Sequence, residues 1–348
     1  MKLLTNEPTD LHIIRLRSLI GSDDSCDLDL GPIHRIVLGL SGADVQEQLD
    51  LEPSRIDDRD WLGKSPLMWA ASLADDVTVH HLLSNHAAVG LKDREERTAL
   101  HYACRVGSLE CVNHLLGAGA DPRVHDINGK TPLHDAMYQI LPQSLTEELV
   151  LALKSHNADL NAQDDDGWTP LYNAAEMKNC AGIRALSKFG GDTNIPDYYE
   201  LPPICRAIFN CDYEVIKTLC EVSTGLFWNT TLHSIDSVLK ELALTRTMEA
   251  MKIIANSNSP LIDYDPEEIE FWFSVYRDHE NIQGERFSVE EEFAAFESLL
   301  DKKGNKIGPP VECATQLEDA SWNIEQSNQD ASDEEGIECF QDALEIFS

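Results

Sequence analysis

The chain has 348 residues, 42% hydrophobic and 26% charged, enough to bury a sizeable core. Its 27 Lys and Arg stand against 62 Asp and Glu, a net charge of −35. A field of that sign repels phosphate backbones and anionic headgroups. It argues against nucleic acid and membranes and for a protein partner with a basic surface.

From the N-terminus, Met1 to Ile20 mixes Glu7, Asp10, Arg15 and Arg17 with short apolar runs, so it lacks a signal-peptide core. Residues 1–26 are read as a lead segment. Gly31-Pro32-Ile33-His34-Arg35-Ile36 then opens a series of related segments. Ser65-Pro66-Leu67-Met68-Trp69-Ala70 follows, then Thr98-Ala99-Leu100-His101-Tyr102-Ala103 and Thr131-Pro132-Leu133-His134-Asp135-Ala136. Thr169-Pro170-Leu171-Tyr172-Asn173-Ala174 and the weaker Pro202-Pro203-Ile204-Cys205-Arg206-Ala207 complete the set. The starts at 65, 98, 131, 169 and 202 are spaced by 33, 33, 38 and 33 residues. Asp60, Asp93, Asp126, Asp164 and Asp197 repeat in the same phase, each five residues before a start. A third column, Leu115 to Asp121, recurs in degraded form from Leu82 to Ala88 and from Leu153 to Asp159.

These residues resemble the ankyrin repeat, whose period is about 33 and whose signature contains T-P-L-H-x-A. The resemblance covers roughly Asp27 to Val222. It implies an all-α solenoid of units starting near 31, 65, 98, 131, 169 and 202, each a hairpin turn followed by two antiparallel helices. The local chemistry agrees. Thr98, Thr131 and Thr169 suit helix N-caps, and a following Pro suits a first turn. Val112, Leu115 and Leu116 lie at helical spacing, Gly117 and Gly119 suit a helix end, and Asn128-Gly129 and Asp166-Gly167 suit tight turns. The unit starting at 131, third of the full units counted from 65, carries five extra residues around Ile140 to Ser144. Pro142 is expected to end its first helix, with Ser144 and Glu147 as a capping box for its second.

Past Val222 the pattern fades. Residues 223–304 are read as an atypical seventh repeat and a C-terminal helical cap. Thr230-Thr231-Leu232-His233 is a weak signature there. Asp265-Pro266 and Ser288 with Glu291 are helix starts, and Phe293, Phe296, Leu299 and Leu300 share one face. Residues 305–348 are read as a disordered acidic tail: from Leu261 onward 24 acidic residues face 5 basic ones. Ile337, Phe340, Leu344 and Phe347 mark either an inert end or a short amphipathic helix that folds on binding.

No constellation for catalysis emerges. Gly39-Leu40-Ser41-Gly42-Ala43 lacks the last glycine of a nucleophile elbow, and Gly117 to Pro122 follows a helix rather than a strand. His80, His81 and His86 fall on different helix faces without further ligands, so no metal and no cofactor is expected. The resemblance implies that His34, His101 and His134 hydrogen-bond adjacent hairpin loops. Nine scattered cysteines without a C-x-x-C pair indicate a reducing compartment, hence a cytoplasmic or nuclear protein.

The resemblance also implies where a partner would bind: hairpin tips and first-helix ends on the concave face. Carried over, these positions are Trp61, Leu62, Lys64, Arg94, Glu95, Arg105, Ile127, Asn128, Tyr138, Asp165, Trp168, Glu176, Tyr198, Tyr199 and Phe209. Trp, Tyr and Arg dominate interface energetics, which singles out Trp61, Arg105, Tyr138 and Trp168. The expected function is a monomeric interaction scaffold or adaptor without catalysis. The alternative is a regulatory or substrate-receptor subunit of an enzymatic assembly, such as a ubiquitin ligase.

Overall fold

The computed structural model describes residues 30–199, 201–223, 250, 252–254 and 257. All lie within Met1–Gly304, the first of the two units into which the chain divides. Among the described residues the helices come in pairs. These are α1 (Pro32–Val37) with α2 (Val45–Leu51), α3 (Pro66–Ser72) with α4 (Asp76–Ser84), and α5 (Ala99–Val106) with α6 (Leu109–Gly117). Then follow α7 (Pro132–Ala136) with α8 (Gln143–Ser155), α9 (Pro170–Glu176) with α10 (Cys180–Phe189), and α11 (Pro203–Phe209) with α12 (Tyr213–Val222).

The helix starts follow from the repeated signature. The Ser65 hydroxyl accepts from the Met68 amide at 3.4 Å and that of Thr169 from the Tyr172 amide at 3.2 Å. At Thr98 and Thr131 a histidine closes the capping box: the cap amide donates to Nδ1 of His101 (3.1 Å) and of His134 (3.0 Å). Second helices are capped by Asp44, Asp75, Ser108 and Asn179. Gly119 ends α6 in the left-handed conformation at φ 90°, whereas Gly117 is its last helical residue.

First helices pack on first helices and second on second. The signature leucine column, Leu67, Leu100, Leu133, Leu171 and Ile204, is buried to 2% exposure or less, and so are Ala70, Ala103, Ala136, Ala174 and Ala207. An alanine there lets neighbouring first helices approach closely. On the other side Leu82, Leu115, Leu153, Leu186 and Leu219 are all fully buried. Cys104, Cys111, Cys205 and Cys220 are buried in the same core, where a thiol packs as a small hydrophobe.

The third unit absorbs its insertion in two ways. Its first helix is cut to five residues, its second grows to 13, and Tyr138 to Pro142 bridge them. The expected capping box does not form. The helix begins at Gln143, one residue before Ser144, with Pro142 at the N-cap. The Glu147 carboxylate instead accepts from Gln143 Nε2 and pairs with Lys188 of the next unit. The loop is held by Asn179, whose Nδ2 donates to the carbonyls of Met137 (3.1 Å) and Gln139 (2.8 Å) while its Oδ1 caps Gly182 (2.8 Å).

The lead segment 1–26, the tail 305–348 and most of the expected seventh repeat and cap lie outside the described residues. Within 223–304, residues 250 and 252–254 are helical, and Ala250 and Ile254 are buried in the core that the repeats share.

Candidate partner-binding site

Five hairpins precede the first helices, and each is built around the aspartate of the repeated column. Asp60 Oδ1 accepts from the Leu62 and Lys64 amides at 2.9 and 2.8 Å, and Asp93 Oδ1 from Glu95 and Arg97, both at 2.9 Å. Asp126, Asp164 and Asp197 repeat the pattern. The second oxygen is braced from the first helices. Trp69 Nε1 donates to Asp60 at 2.8 Å, the Tyr102 hydroxyl donates to Asp93, and the Tyr172 hydroxyl reaches into the next unit to Asp197 at 3.0 Å.

The hairpins are also tied to one another. The Arg94 amide donates to Leu62 O (3.1 Å), Ile127 to Glu95 O (2.9 Å), Asp165 to Asn128 O (3.1 Å) and Tyr198 to Asp166 O (3.3 Å). Beneath them, Nε2 of His34, His101 and His134 donates to the carbonyls of Lys64, Lys130 and Trp168 at 2.9, 3.1 and 2.9 Å. All three histidines therefore do the inter-loop work expected of them. Burial lowers the pKa of His101 and His134 to about 4, which keeps both rings neutral and their Nδ1 atoms free to accept. Gly129 and Gly167 are required twice over. Both have φ near 75–79°, and a Cβ would lie 2.6 Å from Asp165 Oδ1 or from the Tyr198 amide of the following hairpin.

This ribbon sorts the expected site residues. Trp61, Arg94, Glu95, Ile127, Asn128, Asp165, Tyr198 and Tyr199 stand exposed in register at its tips, and Phe209 is exposed at the end of α11. The rest are half-buried and committed within the array. Leu62 packs on the core, and Trp168 stacks on Tyr172 with ring centroids 5.0 Å apart. Glu176 accepts from Arg206 Nε at 2.9 Å and Asn210 Nδ2 at 3.1 Å, clamping the fifth unit to the fourth.

Between tips and first helices runs a series of cations against rings. Lys64 Nζ lies 4.4 Å from the Trp69 ring centre and 4.2 Å from that of Tyr102; Arg97 also lies over Tyr102, at 5.1 Å. Arg105 and Lys130 lie over Tyr138 at 4.8 and 5.4 Å, and Lys130 donates to its hydroxyl at 2.8 Å. Burial, then the nearby Arg97, lowers the Lys64 pKa to about 8. Sequence reading missed Trp69, Tyr102 and Asp135, the variable position of the signature. Its signal was there: the repeat puts each nine residues after a hairpin aspartate.

A stack of helical hairpins joined by a hydrogen-bonded ribbon of exposed tips defines a repeat solenoid of the interaction-module class. The chain belongs to the ankyrin-repeat family: the model for ankyrin repeats (3 copies) matches residues 40–126, 67–164 and 142–230, more than half the chain. It is similar to ankyrin repeat protein nuc-2 of Neurospora crassa, 31% identical over 176 residues, 50% of this chain and 16% of that protein. Inversin of Canis lupus familiaris is 29% identical over 192 residues, 55% of this chain and again 16% of the relative. The chain thus spans about a sixth of the length of these two. Against the probable 26S proteasome regulatory subunit p28 of Saccharomyces cerevisiae it is 28% identical over 205 residues, 48% of this chain and 88% of that protein. Among the described residues no helix is long and apolar enough to cross a membrane.

Proposed function

We propose that the chain is a protein-interaction scaffold or adaptor that holds a partner on the face formed by its hairpin tips and first helices, without chemistry of its own. The observation that carries this is the row of tips. Trp61, Arg94, Ile127, Tyr198 and Tyr199 are exposed large or charged side chains on backbone fixed by inter-hairpin hydrogen bonds. A rigid backbone lowers the ordering entropy lost on binding, and aromatic and Arg side chains supply most interface energy. Free thiols in the core fit a reducing compartment, cytoplasmic or nuclear, and the chain is proposed to be a monomer before it meets its partner.

The test is affinity capture on the full chain, quantified against a Trp61→Ser, Ile127→Ser, Tyr198→Ser variant of equal stability. The partner is expected to disappear from the variant's eluate; an unchanged set of co-eluting proteins overturns the reading. A second reading is a regulatory subunit of an enzymatic assembly, favoured by likeness across 88% of a proteasome regulatory subunit. A substrate receptor of a ubiquitin ligase is one form of it. The same eluate separates the two, because a multi-subunit enzyme core appears only under the second.

A further inference from the structure

Composition alone points to a basic partner, yet the groove over the first three full units presents the opposite charge. In three ion pairs across its floor the carboxylate is the sunken member, whereas in the pair of Arg97 with Glu95 it is the cation. Side-chain exposure is 17% for Arg97 against 2% for Asp93, 40% for Arg105 against 2% for Asp135, and 18% for Lys130 against 1% for Asp164. Asp93 and Asp164 are also engaged by the hairpins, since their Oδ1 atoms accept hairpin amides. Two further cations have no ion-pair partner among the described residues. They are Lys64, held between two rings, and Arg94, exposed at its tip. Glu95, the exposed carboxylate beside Arg94, is paired with Arg97.

Apolar side chains border this stretch on both rims. Trp61 (38% exposed) and Ile127 (58%) stand on the tips, and Ile140 (70%) stands on the inserted loop beside Tyr138. Asp165 and Asp166, exposed at the next tip, mark where the outward charge reverses.

We infer that the groove between residues 61 and 140 takes an acidic, apolar-anchored peptide segment of a protein partner. Its carboxylates lie over Arg94, Arg105 and Lys64, and its apolar side chains lie against Trp61, Ile127 and Ile140. The inference rests on the reading of this face as the binding surface and adds the chemistry of the occupant. Charge complementarity selects it. A basic segment would set its ammonium or guanidinium groups against outward cations whose own counter-charges are buried, and like-charge juxtaposition at an interface is strongly unfavourable. A carboxylate instead meets the planar fork of Arg94 or Arg105, which can hold it bidentately. The aromatic floor keeps those cations in place, because each ring that contacts Lys64, Arg97, Arg105 or Lys130 limits where the charge can go.

The experiment uses the full chain and three pools of short fluorescein-labelled peptides. Leu and Phe alternate with Asp and Glu in the first pool, with Lys and Arg in the second, and with Ser and Gly in the third. Anisotropy is read at low and high salt. The acidic pool is expected to bind at least about 10-fold tighter than the neutral one, to weaken with salt, and to outcompete the basic pool. Arg94→Glu with Arg105→Glu should reverse that order; circular dichroism checks its fold, and Arg94→Gln, at an exposed tip, serves if it does not fold. Equal or tighter binding of the basic or neutral pool, or binding of no pool, overturns the inference. So does acidic affinity unchanged by the arginine variants. A basic pool that binds and is lost on Trp61→Ala with Ile127→Ala rejects the acidic occupant and keeps the face. Binding that neither pair of substitutions touches rejects the face itself.

Discussion

Glu96 holds the left-handed conformation (φ 59°) that Gly63, Gly129 and Gly167 hold in neighbouring hairpins. A side chain pays there what glycine does not. Its one ion pair, with Lys92, is exposed and contributes little. Glu96→Gly is therefore expected to stabilise the protein by roughly 0.5–1 kcal/mol in urea titration, the relief of strain exceeding the extra freedom of the unfolded chain. The buried titratable groups allow a second prediction. His101 and His134 have folded pKa values near 4, against 6.5 when exposed. As pH falls from 6.5 toward 4 the unfolded chain takes up protons the fold refuses. Stability present above pH 6.5 is lost, on the order of 2–3 kcal/mol per ring. Asp135 acts in the opposite sense. Burial raises its pKa to about 6 from 3.8, so over the same interval the fold takes a proton that the unfolded chain does not, which adds stability. Asp135→Asn removes that offset, and calorimetry should show its Tm falling more steeply than wild type between pH 6.5 and 4. Equal slopes would mean that the Asp135 carboxyl titrates normally. At this scale the repeat made the hairpin aspartates and histidines legible in the sequence. The braces from Trp69 and Tyr102 were marked only by their place nine residues after an aspartate, since their column holds Arg35, Trp69, Tyr102, Asp135, Asn173 and Arg206 and has no chemistry in common.

Among the elements, the third unit departs most from the pattern, and it carries the site's second rim. Its extra residues were readable from the 38-residue spacing, but their placement was not. A propensity for capping at Ser144 lost to Pro142, which starts the helix one residue earlier, and to the pull of Lys188 on Glu147. The loop that results has few backbone partners of its own. Asn179, wholly buried at the start of α10, supplies two donors to it and one cap to its own helix. Asn179→Ala leaves the Met137 and Gln139 carbonyls and the Gly182 amide without these partners. The expected loss is about 2–3 kcal/mol by chemical denaturation. Faster hydrogen exchange should be confined to Tyr138–Pro142 and the first turn of α10. A uniform rise across the array would show that Asn179 supports global packing rather than the loop.

For the molecule as a whole, the substantial helix contacts of the described residues lie within a unit or between neighbouring units, so stability is close to a sum of units and the interfaces between them. The phase of the six helix pairs among the described residues followed from three repeating columns, because a period survives the loss of single residues. The edges did not follow, because a terminal unit has one interface and less reason to keep the signature: Gly31 and Pro202 stand where Ser65, Thr98, Thr131 and Thr169 start the first helices between them. Position along the stack should then decide how far a local cavity spreads. Leu133 and Ile33 occupy the same signature column and are both fully buried, the first in the middle of the array and the second in its first described unit. Either truncation to alanine removes about 2–5 kcal/mol from its own site. Around Leu133 the damage falls between two interfaces, so Leu133→Ala should lower the whole unfolding transition and raise hydrogen exchange from α5 to α10. Around Ile33 only α1, α2 and their contact with α3 are weakened. Ile33→Ala should split off a small early transition confined to residues 30–57, while α5 to α12 keep wild-type protection. If both variants unfold in one transition with the same lowered midpoint, the array behaves as a single cooperative block.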